Sequence, residues 1–186
     1  MTIPKPLNAS LINDIIKKYN YTLGVELGVR RGEFSAFLLQ ENPELCMSCV
    51  DLWGDDPSMN EKHPHENNYK IYRRNIEPYE GRVFEYRMLL DDAAKLFAYG
   101  SFDFVFIDAT HTYNALKNDI EKWLPLVRTG GLLCGHDYHP AFDNGGIIRA
   151  VNELTGFRKG ADIGQAIEEK WHFVDLESTC WYYWVK

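Results

Sequence analysis

The sequence contains no long hydrophobic run, which argues against a transmembrane helix. None of its apolar stretches approaches the roughly 20 residues that such a helix requires. Residues 1–6 lack the apolar segment of a secretory signal peptide. Hydrophobic residues still make up 45% of the 186 residues, which is ordinary for a globular protein. These features predict a soluble, cytoplasmic protein with no membrane partner.

The chain is also poor in basic residues, with 20 lysines and arginines against 27 aspartates and glutamates and a formal net charge of -7. Proteins that bind duplex nucleic acid usually carry a basic face, so nucleic acid is not an expected partner. The chain has four cysteines. Cys46 and Cys49 have the spacing of a zinc or redox pair, but they fall on a predicted strand, where residues three apart point to opposite faces. We therefore interpret them as core residues.

Strand and helix patterns alternate along most of the chain. Predicted strands cover residues 22–27, 46–52, 83–88, 102–107, 132–135, 171–176 and 180–185, and predicted helices cover residues 8–19, 33–40, 67–76, 91–99, 113–127 and 146–154. Such alternation predicts a parallel sheet with helices on both faces. The last two strands are joined too tightly to be parallel, so they should form an antiparallel hairpin. The expected fold is α/β, a single doubly wound domain over residues 1–186 with a mostly parallel seven-stranded sheet.

Carboxylate and imidazole side chains follow two of these strands. Asp108 comes directly after strand 102–107, with His111 three residues later, and His136 and Asp137 follow strand 132–135. In an open parallel sheet, ligands bind where the strands end. The four side chains therefore predict one polar site.

The first strand runs into a glycine-containing turn. Gly28 permits a tight turn, and Gly32 lets the following helix start close to the strand. Free N–H groups at that helix start favour an anionic group such as a carboxylate. The spacing does not match the Gly-x-Gly-x-x-Gly dinucleotide fingerprint, because Arg30 stands at the second glycine position. Asp51 ends the second strand, where an acidic residue can accept hydrogen bonds from the hydroxyls of a ribose. Trp53 lies either against an adenine or in plain packing.

Taken together, Glu26-x-Gly28-x-x-x-Gly32, Asp51, Asp108 and Gly130-Gly131 resemble class I S-adenosylmethionine-dependent methyltransferases over nearly the whole chain. A more specific set is similar to a subgroup of small-molecule O-methyltransferases that includes macrolide-sugar and cephalosporin-pathway enzymes: Phe106-Ile-Asp108-Ala-Thr-His111-Thr-Tyr113, Asp119, Trp123-Leu-Pro125 and Gly130-Gly-Leu-Leu-Cys-Gly-His136-Asp137. The resemblance implies a Rossmann-like fold, S-adenosylmethionine as cofactor and a small-molecule acceptor.

The same resemblance implies ligand roles at matching positions. Glu26 and Gly28 would border the methionine part of the cofactor, and Asp51 would hold its ribose. The full set of implied cofactor contacts is Glu26, Gly28, Arg30, Gly32, Asp51, Leu52, Trp53, Leu89 and Asp108. The chain departs from the subgroup at 88–90, which has no glycine or small polar residue, so Asp91 or Asp92 is an alternative contact there.

By analogy with catechol-type relatives, the resemblance also implies a divalent-metal site at Asp108, His136 and Asp137. Mg²⁺ prefers oxygen ligands, whereas the imidazole of His136 suits Mn²⁺, iron or zinc better. The alternative is that His136 and Asp137 bind a substrate without metal. His111 stands where catechol enzymes place a basic lysine, so we interpret it as the general base. Its alternative roles are to cap the following helix or to brace the cofactor.

The leading hypothesis is methyl transfer to an oxygen, with Asp108 and His111 as the catalytic residues and Mg²⁺ or Mn²⁺ as the metal. Three alternatives stay open: a metal-independent methyltransferase on another acceptor, a non-catalytic cofactor-binding module and a nicotinamide dehydrogenase. The polar loop 54–66 is either a lid or merely a mobile loop. A second subunit could close the site instead, so a homo-oligomer is one of the alternatives left open.

Overall fold

The computed structural model describes residues 4–54, 65–155 and 163–186. Its strands are β1 (Leu23–Leu27), β2 (Cys46–Asp51), β3 (Val83–Arg87), β4 (Phe102–Ile107), β5 (Val127–Gly135), β6 (Phe173–Asp175) and β7 (Cys180–Trp184). Its α-helices are α1 (Ser10–Tyr19), α2 (Glu33–Glu41), α3 (His65–Ile76), α4 (Leu90–Ala94), α5 (Tyr113–Trp123), α6 (Gly146–Thr155) and α7 (Ile163–Glu168). The seven strands have the order β3-β2-β1-β4-β5-β7-β6. The predicted α/β fold class is confirmed.

The chain divides into two compact units, and the first, Met1–Leu96, holds the three N-terminal strands. β1 pairs with β2 and β2 with β3, both in parallel. Four successive residues of β2, 47–50, are buried, as expected for a strand covered on both faces. The predicted lid falls largely on residues 55–64, which lie outside the described residues.

The second unit, Phe97–Lys186, holds the other four strands. β4 and β5 are parallel, with Ile107 opposite Gly135. β7 runs antiparallel to both β5 and β6, so the predicted C-terminal hairpin is confirmed. Because β4 and β5 end side by side, the residues that follow them start from neighbouring positions on one edge of the sheet.

The helix predicted over 113–127 ends earlier than expected. α5 stops at Trp123, a 3₁₀ turn covers Leu124–Leu126, and Val127 already opens β5. Pro125 explains the stop, since proline has no N–H for a helical hydrogen bond and disfavours the α conformation of the residue before it. β5 can continue to Gly135 because residue 131 is glycine: a Cβ there would lie 2.6 Å from the carbonyl oxygen of Asp103.

Two other expectations about helices are wrong in detail. α4 covers only Leu90–Ala94 rather than 91–99, and the prediction missed α7 altogether. All four cysteines are free. Cys49 is fully buried, as predicted, whereas Cys46 is only half-buried, so the core role predicted for the pair is confirmed for Cys49 alone. Among the described residues, no helix combines the length and the apolar character needed to span a membrane.

Candidate active site

The four polar residues after β4 and β5 lie together and are called here the Asp–His cluster: Asp108, His111, His136 and Asp137. The two strand ends are tied by a hydrogen bond from the backbone N–H of His136 to the carbonyl of Ile107, at 3.1 Å. Asp137 has a left-handed backbone with φ of 61°, which an aspartate adopts more easily than most residues. The register of β4 against β5 therefore produces the single polar site that the sequence predicts.

Each imidazole of the cluster faces both carboxylates. Nε2 of His111 lies 2.7 Å from Oδ2 of Asp137 and 3.6 Å from Oδ1 of Asp108. Nδ1 of His136 lies 3.1 Å from Oδ1 of Asp137 and 3.8 Å from Oδ2 of Asp108. Each carboxylate thus directs one oxygen toward each histidine.

This arrangement shifts the pKa of all four groups. Hydrogen bonds to Asp108 and Asp137 raise the pKa of His111 to about 9. Burial alone would lower the pKa of His136, but hydrogen bonds to the same carboxylates outweigh it and raise that pKa to about 10. Burial would raise the pKa of each carboxyl group, yet the hydrogen bonds from the imidazoles dominate and hold both values below the ordinary 3.8. Without a metal ion, two positive charges therefore balance two negative charges near neutral pH.

The donor atoms of the cluster are close enough to share a metal ion. One ligand atom from each of Asp108, His111 and Asp137 lies within 4.8 Å of the others. The ligand set predicted from the sequence contains the same two aspartates but takes His136 instead of His111. Two carboxylate oxygens with an imidazole nitrogen suit Mn²⁺, Fe²⁺ or Zn²⁺ better than Mg²⁺, so the chemistry of the residues fits a metal.

Residues that the sequence analysis did not single out surround the cluster. The ring of Phe142 lies 5.1 Å from the ring of His111, and Oγ1 of Thr179 lies 3.3 Å from Nε2 of His136. Thr112 caps α5 by accepting the N–H of Ala115, so the capping role considered for His111 belongs to its neighbour. The sequence carries a signal for this cap, a threonine directly before a helical pattern.

In the first unit, the turn after β1 carries three of the nine predicted cofactor contacts. Gly28, Arg30 and Gly32 all have positive φ, at 84°, 54° and 71°. Asp51 connects this turn to the end of β2: Oδ2 accepts the backbone N–H of Arg30 at 2.8 Å, and Oδ1 accepts that of Trp53 at 2.7 Å. The carboxylate is thereby held in a fixed orientation.

Two of the predicted cofactor contacts are engaged in packing. Trp53 is 2% exposed, its ring stacks on Tyr72 at 4.4 Å, and its indole N–H donates to the carbonyl of Arg30. A Cβ on Gly32 would lie 2.7 Å from the ring of Tyr72. Plain packing therefore describes the observed position of Trp53, and Gly32 is needed for close approach of α3.

The remaining predicted contacts differ in accessibility. Glu26 is 3% exposed and accepts a hydrogen bond of 2.5 Å from the hydroxyl of Ser35. The sequence does not single out Ser35 as a partner of this carboxylate. Leu52 is half-buried, and Leu89, which precedes α4, is 41% exposed. Of these, Leu89 offers the most open surface.

Comparison with known proteins gives one family and several similar structures. A family model described as a methyltransferase domain matches residues 25–138. The O-methyltransferase TomG of Streptomyces achromogenes, involved in tomaymycin synthesis and solved with S-adenosylmethionine, is 14% identical with a TM-score of 0.66, over 100% of this chain and 82% of that one. The O-methyltransferase of Bacillus cereus, in complex with S-adenosylhomocysteine, is 18% identical with a TM-score of 0.58, over 97% of this chain and 80% of that one. No curated protein matches the sequence.

Proposed function

We propose that this chain, which belongs to the methyltransferase-domain family, transfers the methyl group of S-adenosylmethionine to a hydroxyl oxygen of a small molecule with the help of a divalent metal ion. Membership follows from the family match, which spans residues 25–138 and therefore more than half of the chain. The family and the enzyme class predicted from the sequence, an S-adenosylmethionine-dependent methyltransferase, are confirmed. The finer assignment is supported by one observation above all, the Asp–His cluster at the ends of β4 and β5.

The first unit offers groups suited to the cofactor. Each carboxylate oxygen of Asp51 accepts one backbone N–H and has a second lone pair, so both can also accept hydroxyl hydrogens of the ribose. Glu26, held by Ser35, is proposed to accept hydrogen bonds from the ammonium group of the methionine part. The left-handed turn through Gly28 and Arg30 is proposed to border the same part, and Leu89 to border the adenine.

In the second unit, Asp108, Asp137 and His136 are proposed to hold the metal, with His111 as the general base. When bound, such an ion acts as a Lewis acid that lowers the pKa of a coordinated hydroxyl. The two carboxylates are the cause of the raised pKa of His111, so neutralising them returns this pKa toward the ordinary 6.5. A neutral Nε2 can then accept the proton of the acceptor hydroxyl near pH 7.

The methyl transfer itself requires mainly alignment, because the sulfonium already activates the methyl carbon. The acceptor oxygen must be held about 3 Å from that carbon, in line with the breaking bond. Two structural relatives are O-methyltransferases by name, which supports oxygen as the acceptor atom. Phe142 lies beside His111, so an acceptor molecule that contains a ring can pack against its side chain.

A second candidate function is methyl transfer without metal. The geometry of the Asp–His cluster is compatible with it, since each imidazole faces both carboxylates directly. In that case the cluster would bind the acceptor through hydrogen bonds. Closure of the site by a second subunit stays a prediction under either candidate.

Formation of S-adenosylhomocysteine from an acceptor panel of phenols and sugars tests both candidates. If the metal assists, EDTA should abolish turnover, Mn²⁺ should restore it, and Asp108→Asn and Asp137→Asn should each lower kcat/KM by about 100-fold or more. Asp14→Asn is the matched control, because this carboxylate is exposed on α1, and it should keep full activity. Turnover that survives EDTA but not the two substitutions would favour the metal-free candidate, and turnover that survives both would refute the cluster as the active site.

A further inference from the structure

The turn between β6 and β7 ends on a residue in an unusual conformation. Thr179 has φ of 54°, in the left-handed region that β-branched residues rarely adopt. The turn around it is well held: Oδ1 of Asp175 accepts the N–H of Glu177 at 3.1 Å, and Oδ2 accepts the hydroxyl of Ser178 at 2.5 Å. A strained residue that its surroundings hold in place is often found at a functional site.

Thr179 contacts the Asp–His cluster at two points. Its Oγ1 lies 3.3 Å from Nε2 of His136, the nitrogen that points away from the carboxylates. Its carbonyl accepts the backbone N–H of Tyr138 at 2.9 Å. Because Tyr138 follows Asp137 directly, the hairpin turn fixes the segment on both sides of Asp137.

We propose that Thr179 is a positioning residue that sets His136 as a metal ligand through Nδ1. This inference rests on the proposed function, because it concerns the same metal site. Nδ1 faces Asp108 and Asp137, and it can bind an ion only when it carries no proton. The neutral ring then has its proton on Nε2, and this N–H donates a hydrogen bond to the hydroxyl oxygen of Thr179. Metal-binding histidines commonly have such an outer hydrogen-bond partner for the second nitrogen, which fixes the tautomer and the ring orientation.

The two histidines of the cluster differ in how firmly their rings are held. The hydroxyl of Thr179 fixes the outer nitrogen of His136, whereas His111 has a side chain that is 44% exposed and packs against Phe142. The more fixed ring suits a ligand, and the more exposed ring suits proton exchange with an acceptor. A purely structural role for Thr179 in the turn would make no such distinction.

Titration of the full-length protein with Mn²⁺, followed by electron paramagnetic resonance, tests the inference without measuring activity. Thr179→Val removes the hydroxyl at nearly constant shape and should raise the Kd for Mn²⁺ by about 10-fold or more. Thr179→Ser keeps the hydroxyl and should remain within about threefold of the wild type. In a His136→Ala background, adding Thr179→Val should change the Kd by less than about twofold, since the residue it acts through is absent.

Thr179→Gly covers the case in which valine is not tolerated at positive φ. Glycine adopts this conformation freely, so the fold should be retained while the Kd for Mn²⁺ rises as for valine. Wild-type affinity in Thr179→Val or Thr179→Gly, or an equal loss with and without His136, would overturn the role of Thr179 alone. Failure of the wild-type protein to bind Mn²⁺ would overturn both this inference and the proposed metal site.

Discussion

Nε2 of His111 lies 2.7 Å from Oδ2 of Asp137, so a residue after β4 and a residue after β5 form an ion pair at the edge of the sheet. The pair joins segments that are 26 residues apart in the numbering but neighbours at the strand ends. Its strength depends on both groups being charged, and this condition makes the stability of the metal-free protein depend on pH.

With EDTA present, the protein should lose stability at alkaline pH. The folded-state pKa values of His111 and His136, about 9 and about 10, exceed the ordinary 6.5. Their contribution is therefore complete below pH 6.5 and is lost as the pH rises through 9 to 10. The pKa values of the carboxyl groups are lowered instead, so their contribution is present above pH 3.8 and is lost as the pH falls. Thermal unfolding between pH 3 and pH 10 should show both declines.

The double variant His111→Ala/His136→Ala provides the control for the alkaline decline. It lacks both groups that titrate in this range, so its Tm should change much less between pH 7 and pH 10. An alkaline decline of the same size in wild type and double variant would assign the effect to other groups, such as the lysines.

Metal binding should release protons and become tighter as the pH rises. An imidazole that is protonated in the metal-free protein must lose its proton before its nitrogen can bind an ion. At pH 7.5, calorimetry with Mn²⁺ in buffers of different ionisation enthalpy should therefore show release of about two protons. One comes from His136 as it becomes a ligand, and the other from His111 as its pKa falls toward 6.5. In His136→Ala, the release should fall by about one proton, whereas release that persists unchanged would contradict His136 as a ligand.

Much of the fold could be predicted from the local pattern of the chain. β4 was predicted at its observed bounds, Phe102–Ile107, because a short apolar run there ends on Asp108. The end of α5 was missed because the apolar spacing continues through Leu124 and Val127, while one proline, Pro125, terminates the helix. Periodicity shows which residues face the core, but it does not show where a single backbone group lacks a partner.

The candidate site was predictable in its members and not in its geometry. The strand ends brought Asp108 and Asp137 together as expected, because parallel neighbours end on the same edge. The contacts of both imidazoles with both carboxylates depend on backbone dihedral angles in the loops, such as the φ of 61° at Asp137. The pattern of polar and apolar residues in the sequence does not specify these angles. Thr179 is 43 residues from His136, and its contact depends on the register of β7 against β5.

Gly32→Ala should destabilise the protein through a clash with α3. The new Cβ would lie 2.7 Å from Cδ2 of Tyr72, and residue 32 itself has a φ of 71°. Overpacking and unfavourable backbone together should cost about 2–4 kcal/mol of unfolding free energy. Gly81→Ala is the matched control: its φ is also positive, at 92°, but nothing lies within 4 Å of its Cβ. Urea unfolding should show a cost of only about 1–2 kcal/mol for the control, and equal costs would contradict the role of Tyr72.

Ser35→Ala should weaken binding of the methionine part of the cofactor specifically. Ser35 is fully buried and holds the carboxylate of Glu26 through its hydroxyl, and Glu26 is proposed to receive the cofactor's ammonium group. Without this hydroxyl the carboxylate of Glu26 is no longer held in one orientation before the cofactor binds, so the Kd for S-adenosylhomocysteine should rise by about 10-fold. The Kd for 5′-methylthioadenosine, which lacks the ammonium and carboxylate groups, should stay within about twofold because the ribose contacts at Asp51 are unchanged. Ser48, a second buried serine that lies on β2 rather than on α2, provides the control: Ser48→Ala should leave both affinities unaltered. Equal weakening of both ligands by Ser35→Ala would mean that the hydroxyl supports the whole turn rather than the orientation of Glu26.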